Sequence, residues 1–205
     1  MSGAVPSWSR ASQAQGGWRN RSHMQDGRGP GGIGVDLSGG WYDAGDHLKL
    51  HLAMGMSASL LAYGALTWEA AYRAAGHWDT AVRNIDWVAD YFVKCHVNAS
   101  NTPSANAFVA QVGDPATDHN KYWGRPEQQP EGGAKGSIGW RPAYLIGGAS
   151  GSSKGADIVS EAVATLAGAS LLLKRPGAAS DPTRAASLLA RAKQLFAFAK
   201  TVQGV

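Results

Sequence analysis

Apolar and polar positions divide the chain into two textures. From His47 to Tyr72 the spacing is helical: Leu48, Leu50, His51, Met54, Ser57, Leu61, Tyr63 and Leu66 recur mostly every three or four residues, with no proline between them. Glu69 to Arg73 adds a further turn before Gly76. Asp79 is placed to cap the next helix, which runs to about Cys95. Val82, Ile85, Trp87, Val88, Tyr91, Phe92 and Cys95 give that helix one broad apolar face. Ala156 to Lys174 carries the strongest stripe (Ile158, Val159, Ala162, Val163, Leu166, Ala169, Ser170, Leu173), and Pro176–Gly177 stops it. Ser180–Asp181–Pro182 then supplies a cap and a first-turn proline. Leu188, Leu189, Ala192, Leu195, Phe196 and Ala199 carry the last helix to about Val202. The alanine-rich faces of these two helices allow close backbone approach.

The second texture has no apolar period. Residues 1–40 are rich in Gly, Ser, Arg and Gln, and the GRGPGGIG string suits neither a helix nor a central strand. Asp36 to Asp46 is another loop. Residues 97–154 are mostly loop; AFVAQVG (107–113) alternates weakly, as a short strand does, and EGGAKGSIG (131–139) has the composition of a flexible insertion. The expected fold class is all-α. The alternation of helix, long loop and helix suits a toroid of helical hairpins whose loops gather at one end. The last helix finishes without a closing element, so further sequence is expected.

Composition narrows the function. At 205 residues the chain makes one domain or part of one, and it is long enough to bury a core without staples. Its one cysteine, Cys95, excludes an intrachain disulfide and a zinc cluster of cysteines. No run of eighteen apolar residues suggests a membrane span, and the first residues lack the apolar segment of a signal peptide. The net charge is +4, but the basic residues are scattered and form no nucleic-acid arm. Eight tryptophans point to an aromatic core or to a surface that stacks on flat ligands such as sugar rings.

The chemistry concentrates in two loops. In VDLSGGWYDAGDHLKL (35–50), Asp43 and Asp46 stand three apart on a glycine-bearing loop before a helix. That spacing can turn two carboxylates toward one water, with Trp41 and Tyr42 beside them for a sugar. The same residues also suit a plain turn, Asp46 capping a helix at 47 and Asp43 making an Asx-turn. AQVGDPATDHNKYWGRPE (110–127) gathers Asp114, Asp118, His119, Tyr122, Trp123 and Arg125. It reads equally as a binding surface or as a packed loop with Trp123 in the core and Arg125 in an internal ion pair.

GGWYDAGDHLKL, then QVGD with DHNKYWGRPE, then RPAYLI and ADIVSEAVATLAGAS, in that order, resemble glycoside hydrolase family 9, the inverting endo-β-1,4-glucanases. The resemblance runs from about Trp18 to the last helix. It implies part of an (α/α)6 barrel with a cleft for a β-1,4-glucan chain. It assigns Asp46 as the general base and Asp43 as a second holder of the same water. It places His119 on the glycone side and Trp123 in the sugar platform, with Tyr42 and Trp41 as further sugar contacts. Residues 1–205 are then the N-terminal part of a catalytic domain, 1–46 mostly loop and 47–205 helical hairpins and cleft loops. Secretion is expected for the family. No cofactor is expected in this chain, since the family's calcium loop would fall beyond Val205. The partner is a polysaccharide, with no nucleic acid and no membrane.

Departures accompany the resemblance. The family's general acid is a Glu near the end of a domain roughly twice this length, and none of Glu69, Glu127, Glu131 and Glu161 stands in its context. The isolated chain is therefore expected to be inactive. It is also expected to be poorly folded or oligomeric, because half a barrel leaves helix faces uncovered. Arg21 stands where the family has an Asp, and residues 131–139 look inserted. Asn20 and Asn98 open glycosylation sequons that matter only on export. Asp157 and Glu161 suit the start of a helix better than a cation site. Met54, Met56, His51, His77, His96 and Cys95 read as structural.

Overall fold

The computed structural model describes residues 1–204. In chain order the elements are β1 (Lys49–Leu50), α1 (His51–Thr67), α2 (Glu69–Ala74), α3 (Trp78–Cys95), β2 (Ala107–Val112), β3 (Ala143–Gly147), α4 (Ala156–Leu173) and α5 (Pro182–Ala199). The chain divides into two compact units. One comprises residues 1–50 and 111–144; the other comprises 51–110 and 145–205 and holds all five helices.

The four long helices of the second unit lie where the apolar periods put them. α4 packs on α1 and α5, and α3 packs on α1 and α4. Val82, Ile85, Val88, Phe92, Leu166, Leu188, Leu195 and Phe198 fill the space between them. Small residues set the separations: a Cβ on Gly55 would come within 2.7 Å of Glu161 Cβ, and one on Gly168 within 2.7 Å of Ala62 Cβ. Backbones approach closely enough for Thr165 Oγ1 to donate to the Gly55 carbonyl at 3.1 Å and Ser170 Oγ to the Ala185 carbonyl at 2.7 Å. α5 starts as its sequence dictates, with Asp181 accepting from the Arg184 amide at 2.9 Å and Pro182 in the first turn.

The chain is mostly helical, as expected, with one small sheet of order β1, β2, β3, in which Lys49 stands opposite Val112 and Leu50 opposite Gln111, antiparallel. β2 is the expected strand; β1 and β3 are too short to show a period. α1 begins at His51 rather than His47, because Lys49 and Leu50 spend their backbone bonds on β2. Asp79 does not cap α3, which begins at Trp78; its Oδ1 accepts instead from the Ala179 amide at 3.0 Å.

α1 is apolar all round. His51, Met54, Gly55, Ala58, Ala62 and Ala65 are buried on one side, while Leu52, Met56, Leu60 and Tyr63 lie exposed along nearly the opposite side. Met56 is thus not the packing residue expected of it. α4 is long and apolar enough by composition alone to cross a bilayer, although Asp157 and Glu161 interrupt its apolar run; here Val159, Leu166 and Leu172 are buried within the fold.

The first unit is loop-rich and is organised by charge. Arg141 is buried with its Nε donating to Asp26 Oδ1 at 2.6 Å and Nη2 to Oδ2 at 3.2 Å, while Nη1 donates to Asp118 Oδ2. Lys49, wholly buried, pairs with Asp26 Oδ2 at 2.7 Å and donates to the Leu37 carbonyl at 2.8 Å. Two cations and two carboxylates balance, which is the condition under which burying them is tolerable. Burial alone would raise the Asp26 pKa, but Arg141 and Lys49 outweigh it and hold the carboxyl well below the usual range. Burial, with Arg141 adding to it, pushes the nearby His23 down to about 2.

The exposed side of α1 should bind an apolar dye and drive self-association. Leu60→Lys is expected to reduce both, in fluorescence titration and sedimentation, without lowering the melting temperature. Unchanged dye binding would count against this. Acid should weaken the fold in two stages. Below about pH 6.5 the unfolded chain takes up a proton on His23 that the native chain refuses; each pH unit then costs at most ~1.4 kcal/mol. Below about pH 4 the unfolded chain also protonates Asp26, whose native carboxyl stays ionised, and that contribution is lost in turn. The urea midpoint should therefore fall from pH 7 to pH 4, with a shallower fall in His23→Asn. A flat midpoint over that range would contradict the assignment.

Candidate active site

Loop 43–48 is closed by its own backbone, the Asp43 amide donating to the Leu48 carbonyl at 2.9 Å. Asp46 Oδ1 accepts from the Leu48 amide at 3.3 Å, an Asx-type turn that leads into β1. Asp46 thus caps no helix, since α1 begins only at His51, and the Asx-type turn expected at Asp43 is made by Asp46. Both aspartates ride on one closed loop, but their surroundings differ: Asp43 is exposed and Asp46 is 2% exposed.

The loop's exit is gripped from two sides. The His47 amide donates to Asp118 Oδ1 at 2.9 Å, and the His47 carbonyl accepts from Arg141 Nη2 at 2.9 Å. The buried charge cluster therefore fixes the residue after Asp46 through both of its backbone polar groups. Gly113 (φ 95°) is needed beside it, since a Cβ there would sit 3.1 Å from Leu48 and 3.4 Å from both Arg141 and Asp118.

A second loop delivers the partners of Asp46. Asp114 winds it, its carbonyl accepting from the Asp118 amide at 2.8 Å and its carboxylate from the Ala116 amide at 2.9 Å. The turn sends Asp118 inward and its neighbour His119 toward the first loop, where His119 Nδ1 meets Asp46 Oδ2 at 2.5 Å. The His119 side chain is half exposed. Trp123 donates from Nε1 to the His119 carbonyl at 2.7 Å, meets its ring edge to face at 5.3 Å, and stays 64% exposed. Its ring lies against Gly45, where a Cβ would come within 2.5 Å of Cζ3. The glycine between the aspartates is thus required by the tryptophan above it. The packed-loop alternative, with Trp123 in the core and Arg125 in an internal pair, does not hold: both are exposed.

The structure brings Asp46, His119 and Trp123 together, with Asp43 on the same loop. Trp41 is half-buried. The Tyr42 hydroxyl is engaged within the fold, bonding Ser22 Oγ at 2.8 Å and His23 Nδ1 at 2.5 Å, and burial raises its pKa. Sequence reasoning missed Asp26, His23, Lys49, Gln129 and Arg141. Lys49 and Arg141 stand inside the motifs quoted above, but nothing in spacing marks a buried cation. Among the described residues no three His, Cys, Asp or Glu side chains converge as a metal site would require.

The sequence profile of glycosyl hydrolase family 9 matches residues 1–205. Endoglucanase B of Cellulomonas fimi is 40% identical over 187 residues, 91% of this chain and 16% of that protein. Endoglucanase A of Bacillus pumilus is 38% identical over 91% of this chain and 25% of its own length. Among solved structures, the endoglucanase of the termite Nasutitermes takasagoensis superposes with a TM-score of 0.79 at 35% identity, covering 99% of this chain and 40% of that one. A C. cellulolyticum cellulase in complex with cellobiose gives 0.77 at 34%, covering 96% and 40%. The chain spans less than half the length of each of these relatives. It belongs to glycosyl hydrolase family 9, and its fold class is that of part of the family's (α/α)6 barrel.

Proposed function

We propose that this chain supplies the base side of an endo-β-1,4-glucanase active site that acts with inversion. The observation that carries the reading is Asp46: a carboxylate almost wholly buried, bonded through Oδ2 to a half-exposed histidine that in turn packs against an exposed tryptophan. In a single displacement Asp46 takes a proton from water, and the water oxygen bonds to the anomeric carbon as the glycosidic carbon–oxygen bond breaks. A carboxylic acid on the other side gives its proton to the leaving oxygen. A base that must accommodate a water lies farther from its acid than a direct nucleophile does, which is why this arrangement inverts. Asp43, exposed on the same closed loop, would help hold the water, and Trp123 offers an apolar face for a glucose ring. The reading places the protein outside the cell, where such polymers are met.

The acid is not provided by the four glutamates present. Glu69 pairs with Arg73 at 2.7 Å, Glu127 lies 3.5 Å from Arg19 and accepts from the Asn20 amide, Glu131 accepts from the Gln25 amide at 2.7 Å, and Glu161 accepts from Ser59 at 3.0 Å. Each is committed to holding a loop or a helix. A non-catalytic glucan-binding role needs the platform but not the buried carboxylate, so the two readings separate by mutation.

The 205-residue chain should bind cello-oligosaccharides, with Trp123→Ala weakening binding about tenfold in calorimetry, as expected for loss of a stacking face. It should release no reducing sugar above background. In a catalytic domain completed with the family's remaining portion, Asp46→Asn should leave binding within about threefold and cut kcat by about 10²–10⁴. Retention of most of the turnover, or loss only in step with the melting temperature, would reject Asp46 as the base. Turnover by the chain alone that disappears in Asp46→Ala would show that one of its own glutamates is the acid.

A further inference from the structure

His23 is the one described residue other than glycine with a left-handed backbone, at φ 50°. It is wholly buried. Non-glycine residues are held in that region only where the surroundings over-determine them, and such places cluster where geometry matters to function. Its imidazole uses both nitrogens. Nδ1 meets Tyr42 Oη at 2.5 Å, and Nε2 meets Gln129 Oε1 at 2.9 Å. The same Gln129 oxygen also bonds His47 Nδ1.

An amide oxygen carries no hydrogen, so both imidazoles must donate to it. His23 is then protonated on Nε2 alone, because burial keeps the ring neutral, and its Nδ1 accepts from the tyrosine hydroxyl. Tyr42 in turn accepts from Ser22. His47 carries its proton on Nδ1, and its ring lies 5.0 Å from Tyr42 and 5.4 Å from His23. The Gln129 amide nitrogen, donating to the Ile138 carbonyl at 3.3 Å, fixes which end of the side chain faces the histidines. Every donor and acceptor direction in the chain from Ser22 to His47 follows from that one oxygen.

The placement along the sequence gives this chain of bonds its purpose. Tyr42 immediately precedes Asp43, and His47 immediately follows Asp46. Tyr42, His23, Gln129 and His47 therefore tie the two ends of the aspartate loop to each other through side chains, in addition to the backbone bond between Asp43 and Leu48. We infer that His23 and Gln129 are positioning residues, a brace that sets the angle at which the loop presents Asp43 and Asp46. The inference rests on the reading of Asp46 as the base. The brace itself can be observed without any glucan.

The test is nitrogen-15 NMR of the histidine rings, with cello-oligosaccharide affinity as a second reading. In the wild-type chain at pH 8 His47 should show the Nδ1–H tautomer and His23 the Nε2–H tautomer, and His23 should stay neutral down to pH 5. Gln129→Met keeps the length and removes the acceptor. It should release His47 from the Nδ1–H form, shift the Asp43 and Asp46 amide signals, and weaken glucan binding about tenfold. Gln129→Glu restores an accepting oxygen and should recover the His47 Nδ1 proton and binding to within about threefold. His23→Asn tolerates the left-handed backbone and still accepts from Tyr42, but it is too short to reach Gln129; it should move the same amide signals even if the methionine variant fails to fold. An Nε2–H His47 in the wild type, or Asp43 and Asp46 signals unmoved by both Gln129→Met and His23→Asn, overturns the brace. Absence of glucan binding by a wild-type chain that shows the expected tautomers would overturn the binding reading and leave the brace standing.

Discussion

The burial of Arg141 is the constraint on which the aspartate loop depends. A guanidinium removed from water must be met by charge and by hydrogen-bond acceptors, and this one takes Asp26, Asp118 and the His47 carbonyl. Three stretches far apart in sequence are thereby forced to one point: the glycine-rich start, the aspartate loop and the loop bearing His119. Lys49 adds a second cation on Asp26. Removing any member would leave an uncompensated buried charge, which costs about 3–5 kcal/mol, so the loops have little freedom to separate. Order in a region without helices is thus obtained from electrostatics rather than from apolar area.

This division explains what could be read from the residues. Helices α1, α3, α4 and α5 declared themselves because burying one side of a helix imposes a period on the sequence. A loop core imposes none. Asp26, Lys49, Gln129 and Arg141 are polar residues in polar stretches, and only the folded chain shows that they are inside. The aspartate pair, His119 and Trp123 were legible for another reason, the ordered match of motifs to a family. Spacing alone left Asp46 divided between a catalytic and a turn role, and the fold gives it both: Oδ1 makes the turn and Oδ2 meets His119. What the residues did not show at Tyr42 is that its hydroxyl is spent inside, on Ser22 and His23.

Glycines mark the places where the two loops touch. Gly45 lies under Trp123, and Gly113 lies against Leu48, Arg141 and Asp118. A side chain at either would push the histidine-bearing loop off the aspartate loop. The small residues in the motif therefore belong to the geometry of the site as much as the carboxylates do, although they carry no chemistry. The same reasoning applies at Gly55 and Gly168, where α1 and α4 approach through missing side chains.

The bond between His119 and Asp46 joins the two loops at the buried carboxylate. Asp46 Oδ1 is engaged by the Leu48 amide, so the oxygen open to exchange is Oδ2, and His119 Nδ1 stands on it at 2.5 Å. His119 is half exposed and is held twice, by its ring on Asp46 and by its backbone carbonyl on Trp123 Nε1. The His119 ring also meets the Trp123 ring at 5.3 Å. Trp123 therefore reaches Asp46 only by way of His119, and the histidine is the link through which the exposed aromatic surface and the buried carboxylate are held at a fixed separation.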